Sequence, residues 1–177
     1  MLATVFSLLS EMTFSAHTPG FVWLCCVIAM LIYVVSCIVL FTVDVRQHRL
    51  PNGWTATLAI GAVAFLGVST LIAPQDSVAH GRLATMVVGL FGYPAVMFVL
   101  HLITRGGLGM GDVKLAAGLG AYTGFVGWEA TVVALVLGFV LGGLISLVAV
   151  VFTSATWASR IPFGPAMILA ATFALLG

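Results

Sequence analysis

Four long uncharged apolar runs constrain this chain more than any other feature of its sequence. They have 20 to 23 residues each and comprise residues 21–43, 54–73, 83–103 and 130–152. A helix needs about 20 such residues to cross the hydrocarbon core of a bilayer. Two shorter runs, residues 113–128 and 163–177, have 16 and 15 residues, and we expect them to span as well. The sequence therefore predicts an all-α membrane protein, a polytopic bundle of about six transmembrane helices.

The charge content supports this class and argues against others. Only 6% of the residues are charged and 62% are hydrophobic, whereas a soluble domain has about 25% charged residues. The net charge of +1, with its basic residues scattered singly or in pairs, argues against nucleic acid as a partner. We expect a short outer N-terminal tail at residues 1–20 and one membrane-embedded domain at residues 21–177, with membrane lipid around it.

The basic residues predict the orientation of the bundle. If the loop after the first run is cytoplasmic, Arg82 alone lies outside and the other five basic residues lie inside, which follows the positive-inside rule. Those five are Arg46, Arg49, Arg105, Lys114 and Arg160. Both termini are then predicted to lie outside.

The five acids divide between the two sides of the membrane. Glu11, Asp76 and Glu129 fall on the outer side, where we interpret them as solvated or interfacial charges. Asp44 and Asp112 are the two acids on the cytoplasmic side, at the end of the first run and just before the fourth. An acid within the membrane is commonly functional, but an acid at its edge is less often so.

Asp112 has a structural and a functional interpretation. It could be the N-cap of a helix, a position that Asp favours. It is preceded, however, by several glycines, which allow another chain to approach closely and which an N-cap does not require. These are Gly106, Gly107, Gly109 and Gly111.

Asp44 also has two interpretations. It could simply pair with Arg46 or Arg49 in the following loop. Alternatively it has a functional role at a fixed position just before a turn. Pro51 and Asn52 are expected to form that turn, where one helix ends and the next begins.

Two carboxylates that meet in a low-dielectric environment tend to share one proton and titrate as a unit. The ionised member can take a proton from water as the water attacks a peptide carbonyl, while the protonated member donates to the carbonyl oxygen. Spacing along the chain leaves open whether Asp44 and Asp112 meet.

Three segments carry a family resemblance. The stretches "DVRQHRLPN" (44–52), "GMGDVKLAAGLGAYTG" (109–124) and "RIPFGPAM" (160–167) resemble, in the same order, the signature segments of the type IV prepilin peptidases, bacterial membrane aspartyl proteases of the GxGD class. The resemblance implies that Asp44 and Asp112 are the two catalytic aspartates. Residues that it implies for substrate binding or motif support are Pro51, Asn52, Gly109, Gly111, Pro162, Gly164 and Pro165.

The resemblance also implies a reaction and a partner. Members of this family remove the short basic leader of type IV prepilins or pilin-like proteins, just before the apolar helix of the substrate. The site lies at the cytoplasmic face of the bacterial inner membrane, no cofactor is implied, and a homodimer is left open. By resemblance, the alternative within the enzymes is an archaeal preflagellin peptidase. Outside them, a small proton-coupled transporter and a non-catalytic pilus-assembly subunit remain as alternatives.

One departure from the family pattern concerns the cysteines. Bifunctional members have a cytoplasmic loop with paired CxxC motifs that bind zinc, and they also methylate the new N-terminus. The cysteines of this chain, Cys25, Cys26 and Cys37, fall inside the first apolar run and do not have the spacing of a zinc site. We therefore predict a peptidase without methyltransferase activity and without a metal.

Three further features have structural explanations. His101 could face the two aspartates or reach the interface, and we favour the interface. Lys114 is expected to anchor at the lipid headgroups. Gly138 and Gly142, spaced as GxxxG, predict a close helix-packing face, either within the molecule or in a dimer.

Overall fold

The computed structural model of the protein describes residues 20–47, 49–75, 79–104, 107–152 and 163–177. Within these ranges the regular structure is entirely helical, with no strand. Some predictions concern residues outside them, namely the tail at residues 1–19 with Glu11, and Asp76, Arg105, Gly106, Arg160 and Pro162.

Six helices form along the described part of the chain, which confirms the predicted helical bundle. They are α1 (Gly20–Gln47), α2 (Asn52–Ile72), α3 (Leu83–Ile103), α4 (Met110–Val126), α5 (Trp128–Phe152) and α6 (Gly164–Leu176). In α1, α2, α3 and α5 the helix is long and apolar enough to cross a membrane. The helices α4 and α6 are shorter, at 17 and 13 residues.

The ends of some helices differ from the apolar runs. Helix α1 continues past the first run to Gln47, so Asp44 lies within its last turn. Helix α4 ends at Val126, and Trp128, which we assigned to the same run as α4, instead begins α5. Charge and hydropathy define where a segment can lie in the membrane, but hydrogen bonding defines where its helix stops.

Helix α2 contains one irregularity that the sequence did not predict. Its backbone has π-helical geometry from Ala62 to Gly67, between α-helical turns on either side. An apolar run does not distinguish this geometry from an α-helix, because only the hydrogen-bond partner of each residue changes.

Helix α4 is the central helix of the bundle. Most of its side chains are buried, and it packs against α2, α3, α5 and α6. It also contacts α1, since the Tyr122 hydroxyl donates to the carbonyl oxygen of Ala29 at 2.8 Å. A helix that is buried on all sides needs no lipid-facing stripe, which explains how a helix as short as α4 is accommodated.

Glycines bring α3 and α4 into backbone contact. A Cβ atom added at Gly89 would overlap the carbonyl oxygen of Gly120, and one added at Gly124 would lie 2.5 Å from the carbonyl oxygen of Thr85. Gly120 and Gly124 have the GxxxG spacing that allows such an approach. The spacing is visible in the sequence, although the pair predicted for close packing was a different one.

That other pair, Gly138 and Gly142, packs within the molecule. A Cβ atom at Gly142 would overlap the ring of Phe163, and one at Gly138 would lie 3.7 Å from the Cβ atom of Ala170 in α6. The predicted packing face is therefore confirmed, and its partner is α6 of the same chain.

The outer surface of the bundle is apolar. Large side chains such as Ile38, Phe91 and Leu147 are more than half exposed. An exposed apolar surface of this kind is unstable in water but matches the hydrocarbon of a bilayer. Together with the four spanning helices, it identifies an integral membrane protein.

Successive helices alternate in direction, so the bundle has two distinct ends. At one end, Arg82 at the start of α3 donates hydrogen bonds to the carbonyl oxygens of Phe125 and Val126 at the end of α4. At the other end, which we call the motif end, α1 and α3 finish and α2, α4 and α6 begin. The described residues of all three segments with the family resemblance lie at the motif end.

Candidate active site

Asp44 lies in the last turn of α1 and points into the bundle. Its side chain is 4% exposed, while the following residues Val45, Arg46 and Gln47 are exposed. On a helix, the position that faces the core recurs every three to four residues, and Leu40, four residues earlier, is fully buried. Helical periodicity therefore places the Asp44 carboxylate on the inner face of α1.

Asp112 lies in the first turn of α4 and is also buried, at 9% exposure. The N-cap of α4 is Gly109, so the interpretation of Asp112 as an N-cap is wrong. The Asp112 backbone N–H donates to the Gly109 carbonyl oxygen at 3.1 Å, and its carboxylate accepts a backbone hydrogen bond from Gly109. A side chain at this third helical position that returns to the N-cap is one half of a capping box.

The structure brings the two aspartates together at the motif end. Both carboxyl groups are shielded from solvent by the bundle, and they lie near enough for their charges to interact. Like charges in such an environment cannot both ionise easily, so the pair is suited to sharing one proton. The two aspartates are thus near each other in the fold, while their action as a catalytic pair stays a prediction.

Leu50 connects the three motif segments and was missed by sequence reasoning. A Cβ atom added at Gly111 would lie 3.1 Å from the Cβ atom of Leu50, and one added at Gly164 would lie 3.4 Å from its Cδ2 atom. The Leu50 side chain therefore packs beside both glycines. The signal for it in the sequence is an apolar residue in a loop that is otherwise mainly polar, directly before Pro51.

Gly164 makes room for the carboxylate of Asp44. It is the first residue of α6, after the N-cap Phe163 and before Pro165. A Cβ atom at Gly164 would lie 2.5 Å from Oδ2 and 3.3 Å from Cγ of Asp44. The third segment thus contributes the surface against which Asp44 is packed, and Pro165 fits the first turn of α6 because proline lacks the N–H that would have no partner there.

Pro51 and Asn52 separate α1 from α2 as predicted, and Asn52 has a second role. Pro51 occupies the N-cap position of α2. The Lys114 ammonium group donates a hydrogen bond of 2.8 Å to Oδ1 of Asn52. Instead of only anchoring at headgroups, Lys114 joins the start of α2 to the first turns of α4.

Comparison with known proteins supports the first two of these segments. Residues 31–147 match the sequence model of the type IV leader peptidase family. The match includes both aspartates and covers about two thirds of the chain. The chain belongs to the type IV leader peptidase family.

Three similar proteins are each named prepilin leader peptidase/N-methyltransferase. The protein from Aeromonas salmonicida (strain A449) is 28% identical over 171 residues, which are 96% of this chain and 55% of that protein. The protein from Stutzerimonas stutzeri is 29% identical over 150 residues, 84% of this chain and 49% of that protein. The protein from Pseudomonas putida is 34% identical over 91 residues, 51% of this chain and 31% of that protein.

The first two of these matches cover most of this chain. The chain nevertheless spans only about half the length of those two curated relatives. No solved structure matches it. The match to the type IV leader peptidase family ends before α6. The structure adds α6 to the site, because Gly164 lies against Asp44.

Leu108, directly before the GMGD segment, is bonded to the end of α3 and its C-cap residue Thr104. His101 Nδ1 lies 2.6 Å from the carbonyl oxygen of Leu108, and the Leu108 N–H donates to Oγ1 of Thr104 at 3.3 Å. Both backbone groups of Leu108 are thereby fixed one residue before the N-cap Gly109. Neither of our interpretations of His101 anticipated this contact, because its partner is a backbone atom and leaves no signal in side-chain identity.

The structure identifies no metal-binding group in the part of the chain that it describes. No three His, Cys, Asp or Glu side chains come together there. The thiols of Cys25, Cys26 and Cys37 are free and buried in α1, where small apolar side chains are expected to pack.

Proposed function

We propose that this protein is a membrane aspartyl endopeptidase that removes the short basic leader of type IV prepilins or pilin-like proteins. The observation that carries the proposal is the pair of buried carboxylates, Asp44 and Asp112, at the motif end of the bundle. Membership of the type IV leader peptidase family and the names of its relatives support the choice of substrate.

The proposed mechanism uses the two carboxylates with one shared proton. The ionised carboxylate accepts a proton from a water molecule while the water oxygen attacks the scissile carbonyl carbon. The protonated carboxylic acid donates its proton to the carbonyl oxygen, which gives a neutral gem-diol. The first carboxyl group then gives its proton to the leaving nitrogen, while the second carboxylate takes a proton from one hydroxyl of the gem-diol. The C–N bond breaks, a carboxylic acid and an amine are released, and the pair again holds one proton. Gly164 and Gly109 serve this step by leaving space around the two carboxylates.

The proposal places the motif end at the cytoplasmic face of the bacterial inner membrane. Arg46, Arg49 and Lys114 are exposed at this end, whereas Arg82 lies at the opposite end. This distribution follows the positive-inside rule. A basic leader that remains in the cytoplasm can reach the carboxylate pair there, without the leader crossing the membrane.

Substitution of each aspartate by its uncharged isostere tests the proposal. We expect Asp44→Asn and Asp112→Asn each to lower the rate of leader removal by about 10²- to 10⁴-fold, the usual contribution of a positioned acid or base. The control is Glu129→Gln, which makes the same chemical change at an exposed acid of the opposite end. The substrate is a candidate prepilin co-expressed with the enzyme, and mass spectrometry follows its leader.

Cleavage at close to the wild-type rate in either aspartate variant would contradict an aspartyl mechanism. The product mass also reports methylation. We expect an unmethylated N-terminus, since the cysteines are buried in α1 and are not arranged as paired zinc ligands.

A shared proton also predicts a bell-shaped pH profile for the wild-type enzyme. At low pH both carboxylates are protonated and the base is lost, and at high pH both are ionised and the acid is lost. A rate that stays constant across the acidic limb would exclude a carboxylate as the base.

A further inference from the structure

An apolar groove runs along the lipid-facing side of the bundle between α1 and α6. It encloses about 290 Å³. Its walls include Tyr33, Val34, Ile38 and Phe41 of α1, and Ile168 and Thr172 of α6.

One end of this groove approaches the carboxylate pair. Phe41 precedes Asp44 by three residues on α1, and Ile168 follows Gly164 by four residues on α6, which is about one helical turn in each case. Gly164 itself lies against Asp44. On both helices, the wall of the groove therefore ends about one helical turn from the candidate active site.

The length of the groove corresponds to part of a transmembrane helix. Its walls on α1 extend from Tyr33 to Thr42, which is about 14 Å at 1.5 Å per residue. This is about half of the hydrocarbon thickness of roughly 30 Å. A helix of the same direction as α2 that begins at Asp44 would follow the groove for two to three turns.

The polar atoms in the walls are already satisfied within the protein. The hydroxyl groups of Tyr33 and Thr172 are 3.0 Å apart, and that of Thr172 also donates to the Ile168 carbonyl oxygen. The Thr42 hydroxyl donates to the Ile38 carbonyl oxygen at 2.6 Å. The surface of the groove that a ligand would contact is therefore apolar. Val34 and Ile38 contribute to it, with 50% and 61% of their surface exposed.

We propose that this groove docks the apolar transmembrane helix of the prepilin substrate, an inference that rests on the proposed function. The peptide bond to be cut lies directly before that helix, so the helix must begin beside Asp44 and Asp112. The groove is an apolar surface that begins about one helical turn from them and continues into the membrane. Docking of the helix would set which peptide bond reaches the carboxylates.

A second groove provides a matched control. It encloses about 330 Å³ between α3 and α5, and its walls include Val88, Tyr93, Trp128 and Val132. It is also apolar, but it lies at the first residues of α5, at the end of the bundle opposite the motif end. A lipid acyl chain can enter either groove. A substrate that is cut at the motif end is expected to bind only in the groove between α1 and α6.

Filling each groove in turn distinguishes substrate from lipid. The variants are Val34→Trp and Val132→Trp, because these valines are 50% and 48% exposed and line equivalent surfaces. Val34 is ten residues from Asp44, about 15 Å along the helix. We expect Val34→Trp to raise KM for the prepilin about tenfold or more, because the substrate helix loses apolar contact with the groove. We expect kcat to stay within about twofold, because the carboxylate pair is untouched. Val132→Trp should leave both constants near those of the wild type.

Equal effects of the two tryptophans, or a fall in kcat without a rise in KM, would overturn the groove as a substrate site and leave it to lipid. Retention of kcat also verifies that Val34→Trp folds. Ile38→Ala widens the same groove without any clash, so it gives a second measurement, and we expect a rise of a few fold in KM.

A binding assay separates failure of this inference from failure of the proposed function. A photoreactive phenylalanine derivative is placed at position 38 or at position 132 of the Asp112→Asn variant, which is expected to bind but not to cut. Cross-linking to the apolar helix of the prepilin from position 38 and not from position 132 supports docking, whether or not the wild type cleaves. Absence of a cross-link from position 38, with cleavage by the wild type, refutes docking and retains the peptidase.

Discussion

Substitution of Gly164 by alanine is expected to disable the site while leaving the bundle folded. The added Cβ atom would lie 2.5 Å from Oδ2 of Asp44 and 3.3 Å from its Cγ atom. Ordinary contact begins near 3.4 Å, so the carboxylate must move by about 0.9 Å. The backbone of α6 is held at this point by Phe163, whose ring packs on Gly142 and Phe139, so we expect the short Asp44 side chain to yield first.

A displacement of about 1 Å at a reacting group can lower the rate by about 10²-fold. We therefore expect kcat of Gly164→Ala to fall by about two orders of magnitude, with KM changed little because the apolar groove is intact. The assay is leader removal from a purified prepilin in detergent or liposomes, analysed as separate kcat and KM values. Thermal unfolding of the same samples reports the stability of the bundle.

The matched control is Gly143→Ala in α5. A Cβ atom there would meet nothing within 4 Å, and alanine favours a helix over glycine by about 1 kcal/mol. Its activity and its melting temperature should equal or exceed those of the wild type. If Gly164→Ala remains folded and retains more than about a third of the wild-type kcat, then the position of Asp44 beside Gly164 does not matter for the reaction. The assignment of Asp44 would then be wrong.

Three further substitutions test other parts of the site and fold. Lys114→Met should lower kcat/KM by about three- to tenfold with a loss of stability of about 1 kcal/mol or less, since one exposed hydrogen bond to Asn52 is lost; an unchanged kcat/KM would rule out this link as a support of the site. Gly120→Ala should destabilise the bundle by about 1–3 kcal/mol or prevent folding, because its Cβ atom would overlap the Gly89 carbonyl group; a normal melting temperature would show that α3 and α4 are not in backbone contact. His101→Asn can still donate a hydrogen bond near the position of Nδ1, so it should retain kcat. His101→Phe cannot donate this bond and should lose about tenfold in kcat. Equal losses in both variants would instead indicate that the imidazole takes part in the reaction.

Much of the fold could be read from the sequence because membrane insertion depends on local properties. The apolar runs predicted all six helices, and the loop with Pro51 and Asn52 predicted the boundary between α1 and α2. The residues at the motif end were also named in advance, by resemblance to signature segments. The exact helix ends, such as Gln47 and Val126, were not predicted. The backbone hydrogen bonds of α1 continue past the charged Asp44 to Gln47, and helix α4 ends at Val126, directly before Gly127.

The contacts that build the site were not readable in the same way. Leu50 packs beside Gly111 and Gly164, and Lys114 bonds to Asn52; each contact joins segments that are far apart in the chain. A sequence shows which residue types are present, but the partner of each depends on how whole helices pack. His101 illustrates this most directly, since the atom that it contacts belongs to the backbone.

The order of residues alone makes this chain a helical membrane protein with two acids at one edge, because apolar length and charge act residue by residue. Helix packing in three dimensions makes α4 the central helix, brings Asp44 close to Asp112 and sets Gly164 against Asp44. Those arrangements depend on close contact between helices, where the absence of a single Cβ atom sets how near two segments can come.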